Sequence, residues 1–156
     1  MPKSPRYSPN SVRVIDVLAY PAVQLLDVTG PVQVFASAND LAAVAGGARP
    51  YELRVVAQGG EDVTTSSGVA LAAASLTKPG EALDSLLVAG GERAEAAAEN
   101  PVLVGWVRER TTWARRVASV CAAGSCSPRQ GCWTGAAATH WMYPACAAFS
   151  RRACRA

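Results

Sequence analysis

From Val12 to Tyr20 the chain is an almost continuous run of β-branched and aliphatic residues, interrupted by Arg13 and Asp16. A run that short without clean alternation is the pattern of a strand covered on both faces, so it is expected at the centre of a sheet. Pro31 suits the first turn of a helix. Val32, Phe35, Ala36, Leu41 and Val44 then form an approximate helical stripe that ends at Gly46-Gly47, which predicts a first covering helix. YELRVVAQ (Tyr51 to Gln58) alternates as a second strand and is closed by Gly59-Gly60. VTTSSGVALAA (Val63 to Ala73) reads as a short hairpin or extended excursion, and SLLVAGG (Ser85 to Gly91) as a buried strand ending in two glycines. Helical spacing runs from Glu95 to Arg110 through Ala98, Val102, Leu103 and Trp106. Pro101 is a flaw there, or else marks where the helix begins. RVASVC (Arg116 to Cys121) is a short buried strand running into a turn. Strands alternating with helices predict an α/β fold: a flavodoxin-like three-layer sandwich with a mostly parallel central sheet.

The periodicity stops after Cys121. AAGSCSPRQGCWTGAA (Ala122 to Ala137) has the composition of neither a helix nor a strand, so the C-terminal part of the fold is expected to be incomplete or irregular.

With 156 residues, half of them apolar, the chain has enough material for one domain with a real core. The formal net charge is +3. Arg108, Arg110, Arg115 and Arg116 flank one segment and Arg151, Arg152 and Arg155 another, without the interleaved aromatics of a nucleic-acid surface. They read as solvated helix ends and a tail. No apolar run approaches the roughly 18 residues of a membrane span, and the polar start lacks the apolar middle of a secretory signal, which implies a cytoplasmic protein. Cys126, Cys132, Cys146 and Cys154 match no CxxC zinc pattern. They are read as incidental, with a disulfide framework as the rival, and neither a metal nor another cofactor is expected.

Asp27, Gly90-Gly91 and Cys121 each follow a predicted strand, which places them on the carboxyl edge where open α/β sheets build their sites. A cysteine at a sharp strand-to-helix turn sees backbone N–H groups and the positive helix end, and both raise its thiolate fraction. A nearby carboxylate can hydrogen-bond that thiol or relay a proton, and paired glycines let N–H groups approach a developing oxyanion. Each feature has a plain structural reading too: a buried thiol, a turn aspartate, a glycine turn. Their joint order is the signal.

VLAYPAVQLLDVTGPVQVF (Val17 to Phe35), YELRVVAQGG, VTTSSGVAL, LLVAGGE and ARRVASVC together resemble the PfpI-like branch of the class I glutamine amidotransferase-like superfamily. More narrowly, they resemble the N-terminal domain of GlxA-type regulators of the AraC family. The resemblance is nearly continuous from Val12 to Cys121 and returns at ATHW (Ala138 to Trp141). It implies that Cys121 is the elbow cysteine, Asp27 the acidic residue facing it, His140 the histidine of a THW motif, and Gly90 and Gly91 the oxyanion-side glycines, with Ala122 supplying a further ligand-binding position after the cysteine. Two departures stand out. The family follows its cysteine with Thr or Ser, then Gly and Ala; here Ala122 and Ala123 come first and Gly124 one place late.

The family continues at this point as an apolar helix. Read one base earlier, Cys132-Trp133 encodes a leucine and Trp133-Thr134 an aspartate whatever synonymous codons are used, and GC-rich codons for Ser125 to Gly135 give LLLAAAGLLDG. Ala122 to about Ala137 is therefore expected to be read out of frame, with a divergent loop as the alternative; the nucleotide sequence decides. The expected organisation is a disordered leader over 1–11, a PfpI-like domain over 12–143, an irregular tail over 144–156 and no helix-turn-helix domain. The expected function is a homodimeric sensor of a small-molecule effector that does not itself bind DNA or a membrane. The alternatives are a cysteine-dependent hydratase or amidase with Cys121 as nucleophile and Asp27 as acid/base, and a nonfunctional product.

Overall fold

The computed structural model describes residues 11–120. Its elements in chain order are β1 (Arg13–Leu18), α1 (Leu25–Val44), β2 (Tyr51–Ala57), a 3₁₀ turn (Gln58–Gly60), β3 (Val63–Thr64), β4 (Ala70–Leu71), β5 (Ala74–Ser75), β6 (Ser85–Val88), α2 (Ala94–Glu99), α3 (Pro101–Trp113) and β7 (Arg116–Ser119). Five strands form one sheet in the order β5-β2-β1-β6-β7, with every pairing parallel. The remaining two, β3 and β4, form the expected hairpin. This is the flavodoxin-like α/β arrangement that the alternation of strands and helices predicts.

The run from Val14 to Leu18 is buried because β1 is the middle strand, in register with β2 from Arg13 opposite Tyr51 to Leu18 opposite Val56, and with β6 from Ile15 opposite Ser85. Parallel neighbours need long crossover connections, and two of these are helical: α1 between β1 and β2, and α2 with α3 between β6 and β7. The core gathers Val17, Leu18, Val23, Val28, Val56, Leu86, Leu103 and Val107 around that strand. The short β5, which the sequence pattern does not announce, pairs only Ala74 and Ser75 with β2.

The first helix departs from expectation. It begins at Leu25, so Pro31 lies inside it, where the proline has no N–H to offer the Asp27 carbonyl. Tertiary packing overrides that local cost: Val28 is fully buried, and Val32 and Phe35 pack on the core. The inward stripe is therefore Val28, Val32, Phe35 and Asn39, not one continuing to Leu41 and Val44, which are 71% and 87% exposed. Asn39 joins helix to sheet, since its amide donates to the Tyr51 carbonyl (2.8 Å) and accepts from the Tyr51 N–H (2.9 Å). In the second crossover Pro101 does begin a helix. Asn100 caps it, its side-chain oxygen accepting from Val102 N (3.0 Å) and Leu103 N (3.5 Å).

The arginines are not all solvated helix ends. Arg110 is fully buried, its guanidinium 3.5 Å from Asp16 and donating to the carbonyls of Lys78 (3.2 Å) and Glu81 (3.0 Å). Asp16 also accepts from Arg54 Nε (2.7 Å) and the Thr77 hydroxyl (3.0 Å). The β1/β2 register sets Asp16 opposite Arg54, so this pair follows from strand pairing. Arg115 makes a two-pronged contact with Asp84 at 2.7 and 2.8 Å. Nor is β7 buried throughout: its first residue is exposed and only Ser119 is fully covered.

Candidate functional site

The carboxyl edge of the sheet is built by three loops bonded to one another. After β1 the chain turns through Tyr20 to Gln24, with the Tyr20 hydroxyl donating to the buried Ala89 carbonyl (2.8 Å). On one side of this loop lies the TSSG turn: Ala22 N donates to Thr64 O (2.8 Å) and Ser66 N to Val23 O (2.9 Å). On the other side lies the strand end at the paired glycines: Gln24 N donates to Gly90 O (3.0 Å), and Val23 bridges Gly91 in antiparallel fashion. The loop after β1, the TSSG turn and the paired glycines thus meet in space.

Gly91 is required by this approach. Its φ is +147°, and a Cβ there would come within 2.7 Å of Gln24 N and 2.9 Å of Ala22 O, both backbone atoms that cannot swing aside. Ala22 holds the left-handed region at φ +59°, a conformation that costs a non-glycine residue about 1 kcal/mol or more. Nothing in the sequence announced that strain. The network also includes Tyr20, Gln24 and Ser66, whose hydroxyl contacts the Gln24 side-chain oxygen at 3.2 Å; none of them stood out by pattern.

Asp27 falls in the first turn of α1, where the helix dipole favours a negative charge. It is buried, 7% exposed, and its carboxylate accepts the Gly90 N–H at 3.1 Å. Asp27, Gly90 and Gly91 are therefore brought together as expected. β7 runs to the same edge, where Val120 N donates to Val88 O (3.0 Å) two residues before Gly90. Cys121, Ala122 and His140 lie outside the described residues, as do the arginines and cysteines beyond them and the segment expected to be out of frame.

At the far end of β6, the Asp84 carboxylate lies against the Arg115 guanidinium. Burial works to raise its pKa, but the hydrogen bonds from Arg115 and Ser85 and the charges of Arg115 and Arg13 outweigh that, so it titrates below its ordinary value.

The described residues form a parallel flavodoxin-like α/β domain whose carboxyl edge, where open sheets place their ligand sites, carries a buried aspartate on a glycine amide. The chain belongs to the DJ-1/PfpI family, whose sequence model matches residues 12–146. It is 34% identical over 130 residues to a Streptomyces lividans protein of uncharacterised function from the cpoL 5′ region, covering 83% of this chain and 88% of that one. It is 31% identical over 130 residues to the isonitrile hydratase of Pseudomonas putida, covering 83% of this chain but only 53% of that enzyme. Among solved structures, a ThiJ/PfpI family protein from Pseudomonas syringae superposes with a TM-score of 0.59 at 23% identity, over 76% of this chain and 48% of that one, which shows the shared fold. No helix among the described residues is long and apolar enough to cross a membrane.

Proposed function

We propose that this chain is the ligand-sensing, dimerising domain of an AraC-type regulator, with its effector bound at the Asp27, Gly90 and Gly91 edge beside Cys121. The observation that carries this reading is the Gly90 amide. Cysteine-dependent addition to a carbonyl or isonitrile needs backbone N–H groups aimed at the charge that develops, yet the Gly90 N–H is already bonded to Asp27. Ala122 adds to this, since it offers no hydroxyl beside Cys121 for relaying a proton. Such a site can bind a polar ligand well while supporting chemistry poorly. Dimerisation is supported by an uncharged stripe on α1, where Leu26, Val34, Leu41 and Val44 are all exposed on one side of the helix.

A second reading is favoured by the 31% identity to an isonitrile hydratase. In it Cys121 attacks the isonitrile carbon, Asp27 moves the proton, and water releases an N-substituted formamide and regenerates the thiol. One experiment separates the two. The purified chain is incubated with cyclohexyl isocyanide, and formamide production is followed for the wild type, Cys121→Ser and Asp27→Asn. The sensor reading predicts no turnover above the Cys121→Ser background. Turnover that falls at least about a hundredfold in both variants would establish the hydratase reading.

A further inference from the structure

A cleft of about 650 Å³ opens beside the site, on the other side of the Tyr20–Pro21 turn, and none of Asp27, Gly90 or Gly91 lines it. One wall comes from the chain that leaves β2, the other from α2 and the start of α3. Val63, Ala97 and Leu103, all buried, give it an apolar surface. Its size falls within the range of small-molecule sites, which pair an apolar lining with a few polar groups.

The charged groups are divided between the walls. Glu61 and Asp62 stand on the β2 side and Arg93 on the α2 side. Elsewhere along the described chain several charges are paired: Arg115 with Asp84, Arg54 with Asp16, Arg49 with Asp40. The side chains of Glu61, Asp62 and Arg93, all exposed, make no hydrogen bond or ion pair among the described residues, although they border one cavity. The neutral pair on the rim is satisfied, since Asn100 donates to Gln58 at 2.6 Å.

We propose that this cleft is a second binding site, for a small zwitterion whose ammonium meets Glu61 and Asp62, whose carboxylate meets Arg93, and whose apolar body lies on Val63, Ala97 and Leu103. Arginine suits the carboxylate end because its planar fork can hold both oxygens. A cation or an anion alone would engage one wall only. The site rests neither on Cys121 nor on the sensor reading.

Isothermal titration of the full chain with 6-aminohexanoate, hexanoate and hexylammonium tests it. The expected result is saturable binding of 6-aminohexanoate, with each singly charged probe at least about tenfold weaker. Arg93→Ala should weaken 6-aminohexanoate at least about tenfold, as should the double variant Glu61→Gln, Asp62→Asn. Ala96→Trp, at an exposed lining position, should block the cleft without disturbing the core. Cys121→Ser should bind as the wild type does, so a failed functional reading at Cys121 leaves this result intact. Absence of saturable millimolar binding, or binding that ignores all three cleft variants, would overturn the proposal.

Discussion

Asp16 and Asp27 are both buried acids, yet they are held in different ways. Asp16 is fully buried within the sheet and meets charged or hydroxyl side chains from three other segments: Arg54 on β2, Thr77 after β5 and Arg110 on α3. Asp27 sits at the sheet's carboxyl edge, and among its partners is a backbone amide, that of Gly90. Side-chain charges that converge on a carboxylate neutralise it and fix elements against one another. A backbone amide orients a carboxylate at the edge where open sheets bind ligands. The first acid ties the fold together, and we propose that the second serves the site.

Substitutions can break this comparison. The largest effect is expected at Asp16. Asp16→Ala leaves the wholly buried Arg110 without its carboxylate and should cost about 3 to 5 kcal/mol in urea unfolding. A loss under about 1 kcal/mol would show that Arg110 finds compensation elsewhere. At the edge, Gly91→Ala should cost about 1 to 3 kcal/mol, because the methyl group meets the backbone of Ala22 and Gln24. The neighbouring Ala22→Gly should act in the opposite sense, raising stability by up to about 1 kcal/mol as the left-handed strain is relieved. A destabilised Ala22→Gly would mean that glycine's unfolded-state entropy outweighs the strain.

The smallest effect is expected at Asp84. Its folded pKa lies below its unfolded value, so the stability it contributes is present above the unfolded pKa near 3.9 and is lost as pH falls through the folded one. Partial exposure limits this to about 1 kcal/mol. Asp84→Asn should therefore lower stability slightly at neutral pH and not at all at the acid end. A deficit that persists in acid would assign the role of Asp84 to packing.

Much of the fold was legible in the sequence, because its strands are short apolar runs punctuated by glycines. The central position of β1, the hairpin over 63–71 and the strand ending at Gly90-Gly91 all follow from pattern. What stayed hidden depended on long-range contacts. The early start of α1 is driven by Val28 packing, against the local signal of Pro31. Arg110 looks like any surface arginine until α3 carries it to Asp16. At the site, Asp27, Gly90 and Gly91 could be named because the strand order brings their loops to one edge. The strain at Ala22 and the occupied Gly90 amide are properties of closed geometry, and no residue type announces them.

In the proposed reading the effector edge holds Asp27 and Cys121 side by side. Peptide-resolved iodoacetamide labelling of all five cysteines, from about pH 5 to 9, tests it most directly in the wild type and in Asp27→Asn. Cys121 is expected to label with an apparent pKa below the ordinary thiol value of about 8.5, apart from the other four, and its profile is expected to move when Asp27 is replaced. A Cys121 profile that matches an ordinary exposed thiol and ignores Asp27→Asn would contradict it.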